Sequence, residues 1–140
     1  MKNLIVILIL SAFAILSVAC GAGSDGSAGK TIKSGTAGNN LTVTLSNAKG
    51  VLGKGSQDFT LTFTNASGDP VDVGSVSLVF HMPAMGSMGA MNNPASFTTT
   101  NTPGVYRGRA DLEMGGEWQA QIAYEGPAGS GKATLPVTAQ

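Results

Sequence analysis

Eleven consecutive positions, His81-Met82-Pro83-Ala84-Met85-Gly86-Ser87-Met88-Gly89-Ala90-Met91, hold most of the soft-ligand chemistry of this 140-residue chain. Six methionines occur in the whole sequence; one is Met1, and four of the others fall in this run at intervals of three. The only histidine immediately precedes the first of those four, and the remaining methionine, Met114, stands shortly before the only tryptophan, Trp118. Thioether sulfur and imidazole nitrogen are the ligands a soft, thiophilic ion prefers, copper(I) above all. Methionine binds without losing a proton, so a thioether site works where paired thiols would be oxidised to a disulfide.

An interval of three is neither the two of a strand nor the 3.6 of a helix. Pro83, Gly86 and Gly89 also oppose a regular helix. The segment is read as a loop leaving a strand that ends near Met82, curling several sulfurs around one ion. Strand phase sends Met82 inward and His81 outward. His81, Met85 and Met88 are therefore the expected core of a metal site, with Met91 and Met114 as completing ligands. Met82 and Met114 are in phase with core residues, where methionine commonly fills irregular gaps, so packing competes with ligation at both. Met85, Met88 and Met91 also suit an adaptable contact surface for a protein partner, or a sink for oxidants through sulfoxide formation.

The scaffold that must position these groups is readable from residue 41 onward, where apolar and polar residues alternate with period two. Leu41, Val43 and Leu45 oppose Thr42 and Thr44; Phe59, Leu61 and Phe63 oppose Thr60, Thr62 and Thr64. The pattern returns at Val76–Met82, Tyr106–Met114, Trp118–Tyr124 and Leu135–Val137, with turn-forming residues between the runs. Six clear strands and a seventh near Ser96 to Thr99 predict an all-β, immunoglobulin-like antiparallel β-sandwich of about seven strands over 41–140. Met114-Gly115-Gly116-Glu117-Trp118 is the tightest hairpin, bringing Met114 and Trp118 together at one end.

The N-terminal segment states the expected compartment. Met1-Lys2-Asn3 is positively charged, and Leu4 to Val18 is apolar apart from Ser11 and Ser17. That length is short for a membrane helix and suits a secretory signal over 1–19. Leu16-Ser17-Val18-Ala19-Cys20 resembles the bacterial lipobox, with serine where leucine is usual three positions before the cysteine. The resemblance implies a diacylglycerol on Cys20 and a mature chain that begins there, anchored outside the cytoplasm in the cell envelope. Residues 20–40, rich in Gly, Ser and Ala, are expected to be a flexible tether.

Composition removes other functions. Net charge is zero and only 11% of residues are charged, so there is no footprint for nucleic acid. Gly21-Ala22-Gly23-Ser24-Asp25-Gly26 matches a dinucleotide fingerprint without the strand and helix that would give it meaning. Gly126 to Lys132 matches most of a phosphate-binding loop, but Ala133 replaces the hydroxyl residue and a strand pattern follows. One histidine, one cysteine and scattered carboxylates assemble no nucleophile–base–orienter set, so the chain is not expected to be an enzyme.

Three motifs in order carry a family resemblance: Val79-Phe80-His81-Met82-Pro83-Ala84-Met85, Pro103-Gly104-Val105-Tyr106, and Met114-Gly115-Gly116-Glu117-Trp118. Their arrangement is similar to that of the YtkA-like domain family, itself related to the periplasmic part of FixH-type proteins. The resemblance implies an immunoglobulin-like sandwich outside the cytoplasm, often associated with copper handling or heavy-metal efflux. Family members frequently carry further histidines after Met-Pro-x-Met, whereas this chain has Gly86-Ser87-Met88-Gly89-Ala90-Met91, which favours thioether ligation and Cu(I) over Cu(II). The expected function is copper storage, delivery or efflux, with a copper-handling or efflux protein as partner. The alternative is a non-catalytic interaction module of a membrane complex, touching a protein partner through the methionine loop.

Overall fold

A computed structural model describes residues 29–140; the expected signal peptide, the lipidation site Cys20 and the first part of the tether lie outside the described residues. Nine strands follow one another: β1 (Lys30–Thr36), β2 (Thr42–Asn47), β3 (Gly55–Thr64), β4 (Ser75–Met82), β5 (Met91–Pro94), β6 (Ser96–Thr99), β7 (Val105–Leu112), β8 (Gly116–Gly126) and β9 (Gly129–Ala139). All pairings between these strands are antiparallel, in a five-stranded sheet β1-β2-β3-β7-β6 and a four-stranded sheet β5-β4-β8-β9. With β1 set aside, four strands face four in the order of an immunoglobulin-like sandwich. The sandwich expected from the alternation is present, with nine strands where about seven were counted.

Alternation explains the layers. In β7, Tyr106, Gly108, Ala110 and Leu112 are buried while Arg107, Arg109 and Asp111 are exposed. The inward faces of both sheets meet around Phe59, Phe63, Phe80, Trp118 and Tyr124. Phe59 packs edge-on against Phe80 at 5.7 Å and Phe97 at 5.8 Å, and Phe63 against Tyr124 at 5.3 Å. Each such side chain removed from water contributes about 1.5–3 kcal/mol. Gly108 sits under the aromatic trio because a Cβ there would run into the rings of Phe59 and Phe97.

Two expectations are corrected. The tether does not extend to residue 40: Lys30–Thr36 forms β1, paired along β2 from Lys30↔Asn47 to Thr36↔Thr42. Its period-two signal is hidden because an edge strand has one partner, and here a register shift near its single large apolar residue, Ile32, breaks the alternation. The hairpin closes through Asn39 (φ 51) and Asn40 (φ 56), the left-handed pair of a type I′ turn. Asn39 Nδ2 also donates to the Tyr124 hydroxyl at 3.0 Å and the Ser130 carbonyl at 3.1 Å.

The second correction concerns 47–55, part of the turn-forming sequence between the first two alternating runs. Leu52 is fully buried and bridges Ala139 in parallel, with Gln140 N donating to Leu52 O at 2.9 Å. Asn47 holds this loop: its Oδ1 accepts from Lys49 N at 3.0 Å and Gly50 N at 2.6 Å, and its Nδ2 donates to Val51 O at 2.6 Å. The loop therefore belongs to the same end of the sandwich as the turn from β7 into β8, the finish of β9 and the link from β4 to β5. β1 also starts at that end.

Candidate metal centre

The methionine run is a hairpin. β4 and β5 pair with Phe80↔Asn93, His81↔Asn92 and Met82↔Met91. The same register continues past Pro83 and Ala90 to the bridge between Met85 and Met88. The spacing of three thus places four methionines as two cross-strand pairs centred on Gly86-Ser87. Met85 N donates to Met88 O at 3.1 Å and Met88 N to Met85 O at 2.9 Å. Gly86 at φ 57 supplies the one positive φ that a two-residue type II′ turn needs at its first central position. Reciprocally bonded residues stand about 5.5 Å apart at Cα with side chains on one face, within reach of a common ion for two flexible thioethers.

The two pairs differ in environment. Met85 and Met88 at the tip are 60% and 44% exposed, while Met82 at the base is 2% exposed. Met91 is half-buried and packs against the core, as does Met114. The Met82 methyl lies where a Cβ on Gly116 would stand 3.2 Å from it; Gly116 itself adopts φ 130. Trp118 is buried with its Nε1 donating to Met114 O at 3.1 Å, so the β7–β8 hairpin does bring Met114 beside Trp118. Met82 and Met85 share a cleft of ≈ 380 Å³ with Pro83, Trp118, Gln119 and Lys33. This cleft connects base to tip, and Lys33 reaches it from β1, the strand that alternation did not reveal.

His81 points outward from the sheet, opposite in phase to Met82, beside Asn92 on β5 and Gln119 on β8. Its Nδ1 lies 2.8 Å from Asn92 Oδ1. In the tautomer that donates from Nδ1 to that oxygen, Nε2 carries the lone pair, the arrangement expected of a ligating imidazole. The expected set is therefore divided by the sheet. Met85 and Met88 form the tip, His81 stands on the outer face, and Met82, Met91 and Met114 face the interior. Met91 is not a loop residue; it begins β5 as the partner of Met82.

Arg109 Nε bonds Asp58 Oδ1 at 2.7 Å across β3–β7, which holds the Asp58 carboxyl below its ordinary range. Among the described residues no group of three or more His, Cys, Asp or Glu could hold an ion. The donors gathered here are thioethers and one imidazole, suited to a soft ion.

The model of the YtkA-like family matches residues 36–123, from the end of β1 through most of β8, and so spans the whole methionine hairpin and the Met114–Trp118 turn. No curated protein and no solved structure matches the chain. The match covers well over half of the sequence, and the chain belongs to the YtkA-like family.

Proposed function

We propose that this protein is a non-catalytic lipoprotein of the cell envelope, anchored outside the cytoplasm through Cys20, that binds copper for storage, delivery or efflux. The ion is Cu(I), and the ligands are drawn from the β4–β5 hairpin. The observation that carries this reading is the Met85–Met88 pair, two exposed thioethers joined by reciprocal backbone bonds at the tip of a register-locked hairpin. A turn of this kind holds the backbones of both donors in place while leaving their side chains free to close on an ion. Met82 is the thioether along the shared cleft, and His81 Nε2 is the available nitrogen on the outer side of the same hairpin. Met91 and Met114 serve the core first and support the site from beneath.

Anaerobic Cu(I) titration of the full chain against a competing chelator tests this. Met85→Leu with Met88→Leu keeps the volume and apolar character of the tip and removes both sulfurs, so affinity should fall at least about tenfold, or 1.4 kcal/mol. Unchanged affinity in that variant contradicts the proposal. The exposure of the same two side chains also favours contact with a protein partner. A pull-down from envelope extract that survives a Cu(I) chelator and is lost in the double variant would support that second reading instead.

A further inference from the structure

The end of the sandwich that carries the methionine tip has a second property. The exposed large apolar side chains of the described residues are Val51 (40%), Met85 and Met88, and all three lie at this end. Val51 sits in the 47–55 loop, whose Leu52 bridges Ala139. Met85 and Met88 crown the β4–β5 hairpin. Lys30, Lys49 and Lys54 surround that loop, and Lys33 lines the cleft beside Met85. These are four of the five lysines among the described residues, and the stretch 29–57 that carries them contains no Asp or Glu. The carboxylates at this end, Asp111, Glu113 and Glu117, belong to the β7–β8 hairpin, and of these Glu117 lines the cleft that Lys33 enters. The opposite end holds Asp69, Asp72 and Glu125, with Arg107 and Lys132 on the strands that lead to it.

We infer that the end formed by Val51, Met85, Met88 and these four lysines docks on the surface of an anionic phospholipid bilayer. Apolar side chains at the tips of two loops, ringed by cations, combine the two terms of interfacial binding: insertion of apolar surface and attraction to anionic headgroups. The path of the chain agrees. Gly29 enters the sandwich beside Asn47 at this same end. Cys20 is nine positions earlier in the sequence, a separation of at most ~30 Å when fully extended. The inference rests on the lipoprotein reading for this tethering, and on the sandwich alone for the surface. Its consequence is that the Cu(I) ligands face the membrane, where an ion passes to or from a membrane-embedded acceptor without the domain turning over.

Full-length protein carrying a fluorescent amino acid in place of Val51, Met88 or Ser67 is reconstituted in phosphatidylcholine vesicles, with or without phosphatidylglycerol, containing a lipid-borne quencher. Ser67 lies in the exposed loop between β3 and β4 at the opposite end. Quenching at positions 51 and 88 should exceed that at 67 by about twofold or more with phosphatidylglycerol present. It should fall with added salt and with Lys30, Lys33, Lys49 and Lys54 changed to Gln. Equal quenching at all three positions overturns the inference, as does contrast that appears only once a membrane protein is added. Mass analysis of the Cys20 peptide reads the anchor separately: a bare Cys20 removes the tethering and leaves the three-position comparison to judge the surface.

Discussion

Single atoms decide how the candidate centre can work. Met85 and Met88 are the only described methionines with exposed side chains, so they can move to an ion without disturbing the core. His81 can add a nitrogen because its Nδ1 is engaged by Asn92, which fixes the ring and leaves Nε2 outward. Asn92→Ala should therefore weaken Cu(I) binding less than His81→Ala does, and both less than the paired methionine change; competition titration of the three variants ranks them. Tyr106 gives a stability test at the other end. Its hydroxyl donates to Gly74 O at 3.0 Å, and burial pushes its phenol above the ordinary tyrosine value. Tyr106→Phe should cost about 1 kcal/mol at neutral pH. A raised folded pKa means that the tyrosine's contribution is whole below about pH 10 and is lost above it. Urea denaturation should accordingly show the advantage over the phenylalanine variant fading as the pH is taken through the alkaline range.

At the level of elements, the hairpin converts a linear spacing into paired ligands. The intervals of three were visible from the sequence, and so was the inward phase of Met82. The pairing was not: period-two alternation stops at Pro83, and only the symmetry of the methionines about Gly86-Ser87, with glycine at the first turn position, hints at a hairpin. β1 escaped notice for a related reason, since an edge strand with one large apolar residue resembles a polar linker. Leu52 was missed because a single bridge to Ala139, instead of a strand, buries it. Glycines show where elements leave no room. Gly116 combines φ 130 with the Met82 methyl close by, so Gly116→Ala should destabilise the domain by about 1–3 kcal/mol in urea unfolding. Asn47→Ala removes the acceptor shared by Lys49 and Gly50 and should cost about 1–2 kcal/mol. It should also loosen the Val51 loop, read as faster amide exchange over 48–52.

Across the whole molecule, the two ends of the sandwich differ in chemistry. One gathers thioethers, exposed apolar tips and four of the five described lysines; the other has as many carboxylates with fewer cations, and Asn65 caps its 65–69 turn. The formal net charge of zero conceals this asymmetry, because composition does not record which loops the topology brings together. The two-layer architecture was legible because its inward faces alternate cleanly along β3, β4, β7, β8 and β9. The sharing of one end by the 47–55 loop, the methionine tip and the start of β1 needed strand order to be seen. Copper K-edge absorption on the anaerobically Cu(I)-loaded full chain addresses the central claim most directly, because it reports the atoms bound to the ion. The account predicts a first shell dominated by sulfur that loses sulfur when Met85 and Met88 are both changed to leucine. A shell of nitrogen and oxygen only, or one unaltered by that pair of changes, would contradict it.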